Sequence, residues 1–166
     1  HGNVTLTNPA NNFDLVNVAG GNIALAETGP VTIGTVSANT GTTSTGTLSI
    51  MSTGAITQTG AIVAASTTTL TAGANDITLT NVGNNFSAVG VTSGHNVMLT
   101  DSAALVLGTS SVSGNLAVTT GGTLTQSGAL TVTGTTTLAS TATNSDLLLD
   151  TQANNFGGAV VFGGTQ

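Results

Sequence analysis

Two periods, one nested in the other, constrain this chain more than any single motif. The short period is a lag of 19 or 20 residues between apolar-x-apolar triplets: Ile77-Thr78-Leu79 recurs as Val97-Met98-Leu99 and again as Leu116-Ala117-Val118. Val4-Thr5-Leu6 recurs as Ile23-Ala24-Leu25, and Leu105-Val106-Leu107 around Leu124, each at a lag of 19. Alternation of apolar and polar residues is the signature of a half-buried strand. Gly, Asn, Ser and Thr clusters, such as Ser93-Gly94-His95-Asn96 and Ser113-Gly114-Asn115, separate the triplets and suit turns. No segment repeats with a helical period, and the helix formers Glu, Lys and Gln are scarce or absent.

Short strands at this spacing could build a sandwich or a barrel. A fixed lag selects a coil of three strands and three turns that stacks on itself about 4.8 Å further along. The expected fold is therefore all-β: a right-handed parallel β-helix (β-solenoid) of about 19–20 residues per three-strand coil. One coil buries its apolar face only against its neighbours, so the array folds where a single coil would not.

The long period is marked by Asn-Asn-Phe, at Asn11-Asn12-Phe13, Asn84-Asn85-Phe86 and Asn154-Asn155-Phe156, with Phe spacings of 73 and 70 residues. The flanks repeat too, as in Val4-Thr5-Leu6-Thr7-Asn8 and Ile77-Thr78-Leu79-Thr80-Asn81, and in Gly54-Ala55-Ile56-Thr57-Gln58 and Gly122-Thr123-Leu124-Thr125-Gln126. The chain thus reads as one solenoid segment, 1–166, with long units 4–76 and 77–146 and a partial third, 147–166. Each unit is expected to span three and a half to four coils, its length adjusted by loops such as Thr40–Gly46.

Composition removes several functions. There is no Lys or Arg, and the formal net charge is −6. Nucleic-acid binding depends on cations at phosphates, so a DNA or RNA partner is excluded on this ground, and an anionic membrane surface lacks the same attraction. No Cys is present, which removes thiolate metal sites, thiol nucleophiles and disulfides. No apolar run is long enough to span a membrane as a helix.

The Ile77-Thr78-Leu79-Thr80-Asn81 pattern, the Asn-Asn-Phe copies and Gly121-Gly122-Thr123-Leu124-Thr125-Gln126-Ser127-Gly128 resemble the passenger repeats of filamentous-haemagglutinin-like exoproteins and related giant bacterial adhesins. The resemblance extends over the whole chain. It implies export, an extracellular or cell-surface location, and a part in attachment, biofilm or cell contact. It carries no catalytic residue. The secretion domains of that family hold Asn-Pro-Asn motifs, which Asn8-Pro9-Ala10 matches incompletely.

Few residues invite chemistry. Asn-Asn-Phe is read as a turn whose Phe plugs the core, in preference to a ligand loop. The acids Asp14, Glu27, Asp76, Asp101, Asp146 and Asp150 are read as solvated turn residues, and glycoside hydrolysis would need two of them converging. His1 and His95 show no metal partners in the sequence, and no cofactor or metal is expected. Paired Thr columns on a flat solenoid face could bind ice. Thr80, Thr100 and Thr119 follow the lag, but their companions run Thr78, Met98, Ala117 and break the plane. The expectation is a non-enzymatic shaft or fibre segment of a secreted surface adhesin. Its partners would be neighbouring repeats of the same parent protein, with end-to-end self-association and contact with a host or abiotic surface as further possibilities. The alternatives are an ice- or carbohydrate-binding solenoid and, behind these, a glycan hydrolase or phage tailspike.

Overall fold

A computed structural model describes residues 1–39 and 45–164. Among them every strand pairing is parallel, there is no helix, and the chain winds as a three-sided solenoid of about eight turns. The first face stacks β1 (Val4–Leu6), β3 (Ile23–Glu27), β5 (Leu48–Ser52), the later parts of β7 (Ile62–Thr71) and β9 (Asn85–Ser93), then β12 (Ser110–Val112), β15 (Leu130–Val132) and β17 (Asn155–Phe156). The second face stacks the starts of β2 (Leu15–Gly20) and β4 (Val31–Ala38), then β6 (Ile56–Gln58), β8 (Ile77–Leu79), β10 (Val97–Thr100), β13 (Leu116–Thr120), β16 (Thr136–Ser140) and β18 (Val160–Gly164). The third face holds the later parts of β2 and β4, the starts of β7 and β9, β11 (Leu105–Leu107), β14 (Leu124–Gln126) and a bridge at Leu147.

The triplets found by lag are the registered ones. Ile77 pairs with Val97 and Val97 with Leu116; Val4 pairs with Ile23, and Leu105 with Leu124. Two coils are longer. Ile23 pairs with Leu48 and Thr136 with Val160, lags of 25 and 24 residues. The first excess falls at the expected loop, whose residues 40–44 lie outside the described ones.

Inward residues form one continuous core running the length of the rod, including Ile23, Leu48, Ile56, Leu70, Ile77, Leu99, Leu116 and Leu138. Branched aliphatic residues fill a pleated, enclosed surface well, and along the strands the ladder pairs the backbone with the coil above or below. Turn positions are tight for the same reason. A Cβ on Gly128 would stand 2.2 Å from Thr109 N, and one on Gly60 2.7 Å from Gly34 C and Thr35 N. These equivalent glycines let one coil's turn lie on the backbone of the coil below.

Thr68 and Thr136 break the apolar rule at equivalent places. Both are fully buried and neither hydroxyl has a hydrogen-bond partner. Each stands in an inward column between apolar residues, Leu48 and Val89 in one case, Leu116 and Val160 in the other. An orphaned buried hydroxyl costs ~1–3 kcal/mol, and Val has nearly the same shape. Thr68→Val and Thr136→Val should each raise stability by about 1 kcal/mol in denaturant titrations. A loss of stability would mean that the hydroxyl holds a bond in solution.

Candidate functional site: the Asn-Asn-Phe corners

Each Asn-Asn-Phe motif follows a turn that leaves one face and enters the next. In the first two copies the turn opens with an Asn that closes it in two ways. Asn8 Oδ1 accepts Ala10 N–H at 2.9 Å and Asn8 O accepts Asn11 N–H at 3.1 Å; Asn81 does the same for Gly83 and Asn84, at 2.9 and 3.1 Å. Pro9 sits inside the first of these turns, where its fixed φ is at home.

The first Asn of the motif turns inward. Asn84 is fully buried, and Gln58 of the preceding coil meets it in a reciprocal amide pair: Gln58 Nε2 donates to Asn84 Oδ1 at 2.8 Å, and Asn84 Nδ2 to Gln58 Oε1 at 2.9 Å. Asn84 Oδ1 also accepts Ile62 N–H at 2.9 Å, while Nδ2 reaches Leu79 O at 3.2 Å and Thr100 O, one coil onward, at 3.1 Å. Asn154 repeats the pattern with Gln126 (2.9 and 3.0 Å), Leu130 N–H and Leu149 O. Asn11 reaches Leu6 O and Ala26 O.

An acid from the following coil completes the corner. Phe86 N–H donates to Asp101 Oδ1 at 2.6 Å, and Phe13 N–H to Glu27 Oε2 at 2.8 Å. The solvated-turn reading fails for these two acids: Asp101 and Glu27 are 2% and 3% exposed. The cause is the corner itself, which turns the Phe amide off the ladder and requires a side-chain acceptor. Asp101 also accepts Ala103 N–H at 3.0 Å, whereas the other oxygen of the longer Glu27 is buried with no partner.

Of the three motif Phe side chains, Phe86 is fully buried, while Phe13 and Phe156 are partly buried against the core. The second Asn of each copy, Asn12, Asn85 and Asn155, is exposed. Beside Asn85, an open depression of about 300 Å³ is lined by Asn39, Val63, Ala64, Ala65 and Ser87 and carries no charged group.

A second polar corner is exposed. His95 Nδ1 lies 3.0 Å from Asp76 Oδ1, which also accepts Asn96 N–H at 2.9 Å. His95 thus has the acidic neighbour that its sequence context did not reveal. From there an Asn ladder climbs the rod: Asn96 Oδ1 accepts Asn115 N–H at 3.0 Å, and Asn115 Oδ1 accepts Thr135 N–H at 2.8 Å. The Asn96 amide, then the His95 side chain, hold the Asp76 carboxyl below its ordinary range. Burial pushes Asp101 the other way, against its two amide donors. Asp14, Asp146 and Asp150 are exposed. Among the described residues no three His, Cys, Asp or Glu side chains gather as a metal site, and no helix is long and apolar enough to cross a membrane.

Residues 20–93 and 94–163 both match one repeat family. The chain belongs to the family described as repeats of unknown function (DUF5649). No curated protein and no solved structure matches it. In DUF5649 terms, each matched stretch of this chain contains one clasp Gln, the half-buried Gln58 or the buried Gln126, and one buried acid, Glu27 or Asp101. The Gln role was hidden in sequence, where Gln58 and Gln126 stood out only as part of a repeated Gly-to-Gly segment.

Replacing Asn84 by Ala strands the Ile62 amide and the Gln58 side chain, so Asn84→Ala should cost ~2–3 kcal/mol, against less than about 0.5 for the exposed Asn85→Ala. Chemical denaturation of both variants checks the contrast. Because the folded Asp101 carboxyl is raised, its neutral form favours folding at low pH, and that contribution is lost as pH rises from the unfolded carboxylate range through the folded value. Asp101→Asn should remove this decline. Asp76 works in the opposite sense: its contribution is present above the unfolded range and is lost as pH falls through the lowered folded value. Thermal melts of the parent and Asp101→Asn, carried from pH 7 down to about pH 2 so as to cross the range below the ordinary carboxylate value, separate the two effects.

Proposed function

We propose that the chain is a stretch of shaft in a large exported surface protein. It is a stiff spacer that holds an adhesive or effector region away from the cell, or forms the body of an extracellular fibre. Its partners are then neighbouring repeats of its own parent, and any affinity for a host or abiotic surface is spread over its Ser- and Thr-rich sides. The observation that supports this best is the corner clasp: the half-buried Gln58, the buried Asn84 and the buried Asp101–Phe86 bond link three successive coils. Such cross-coil bonds resist separation of the coils along the axis, which is the load a shaft bears.

An enzymatic reading has less behind it. The two buried acids are each engaged by a Phe amide on separate coils, and the exposed ones lie in different turns. Ice binding would need two Thr columns side by side. On the second face Thr32, Thr57 and Thr78 follow one another, but Met98 and Ala117 succeed them, and Thr100–Thr119 ends at Ala139.

Pulling single molecules from both termini tests the shaft reading. A coil of about 20 residues should release ~65–70 Å of extended chain, in discrete force-bearing steps. Asn84→Ala should weaken the step of the coils it joins. Smooth extension at negligible force would overturn the reading, and thermal hysteresis in freezing solutions of the chain would favour ice binding instead.

A further inference from the structure

Counting strand segments shows how the long repeat sits on the rod. Four strands, β2, β4, β7 and β9, turn a corner without breaking, and each supplies segments to two faces. With those counted twice, the unit beginning at Val4 contains ten segments before β8, and the unit beginning at Ile77 contains ten before Leu147. Three segments make one coil. The long unit is therefore three and one-third coils, less than the three and a half to four expected from its length.

We infer that each long repeat turns its displayed surface onward by one face, so that successive repeats present equivalent residues in three directions about 120° apart. Three equivalent outward positions make this concrete. Thr5 lies on the first face, registered with Ala24; Thr78 lies on the second, registered with Met98; Leu148, next to the Leu124–Leu147 bridge, lies on the third. The clasps follow the same rule, with Asn11, Asn84 and Asn154 at three different edges. The inference rests on strand register and does not depend on the shaft reading.

The consequence is a specification for partners. Along one face, consecutive coils expose residues from unrelated places in the repeat, which is why Thr57 and Thr78 are followed by Met98 and Ala117. A flat lattice pressed on one side meets equivalent residues only every third repeat, ten coils or ~48 Å along the axis. No single side of the rod therefore offers a planar ligand a continuous array of equivalent residues.

The chain contains no Cys, so spin labels can be placed at will. Thr78 and Thr137 share a face three coils apart, ~14 Å along the axis, and a Thr78→Cys/Thr137→Cys pair should show strong dipolar broadening. The equivalent-position pairs Thr5→Cys/Thr78→Cys and Thr78→Cys/Leu148→Cys should both read beyond ~20 Å, and should agree with each other, because one screw step relates both pairs. A Thr78–Leu148 distance as short as the Thr78–Thr137 one would place the repeats on one face and overturn the inference. Two equivalent-position pairs that disagree would overturn the screw. Asn12, Asn85 and Asn155, exposed in every copy, form a second set for the same measurement if a first-set variant folds poorly.

Discussion

Main-chain stacking at the parallel-strand spacing is the constraint from which the rest follows. Each coil's strands satisfy their backbone through the coils on either side, so whatever happens at a corner must be compatible with another corner directly above it. Where strands run straight, the ladder suffices, and inward Ile, Leu and Val complete the core. Where the chain turns from face to face, amides leave the ladder and need other acceptors. Asn84, Asp101, Asn96 and Asn115 are those acceptors, each lying within hydrogen-bond reach of the neighbouring coil.

The same constraint sets the side-chain chemistry. The reciprocal Gln58–Asn84 pair satisfies two amides with each other and leaves capacity for the Ile62 and Leu79 backbone groups. A fully satisfied buried network fixes register strongly, because a shift by one residue would strand every member. Its recurrence as Gln126–Asn154 indicates that the corner is specified in each unit anew. Glycines such as Gly60 and Gly128 are needed next to it because the turn lies against backbone.

Much of the fold was legible in sequence because stacking imposes register directly on spacing. Ile77, Val97 and Leu116 stand at lags of 20 and 19 and are Cα partners in that order. The segment count was not legible. β7 passes through its corner without a Gly or Pro, and β9 through a single Gly90 inside an unbroken strand, so no cluster of turn residues in the sequence separates their two faces. The burial of Glu27 and Asp101 was hidden as well, since acids beside turns are ordinarily solvated and the amides they serve lie 14 and 15 residues earlier in the chain. His95 met Asp76 across one coil for the same reason. Residues that face each other vertically are about one coil apart in sequence, a separation that local patterns do not report.

Corner side chains hold the coils in register. Residue-resolved hydrogen exchange measures this directly. The amides of Ile62, Phe86 and Leu130 donate to Asn84, Asp101 and Asn154 side chains and not to the ladder. If the clasps hold, these three should exchange as slowly as ladder amides of the core strands, such as those of Leu79 and Leu99. Exchange at the rate of exposed turns would show that the corners open freely and that stacking alone holds the rod together.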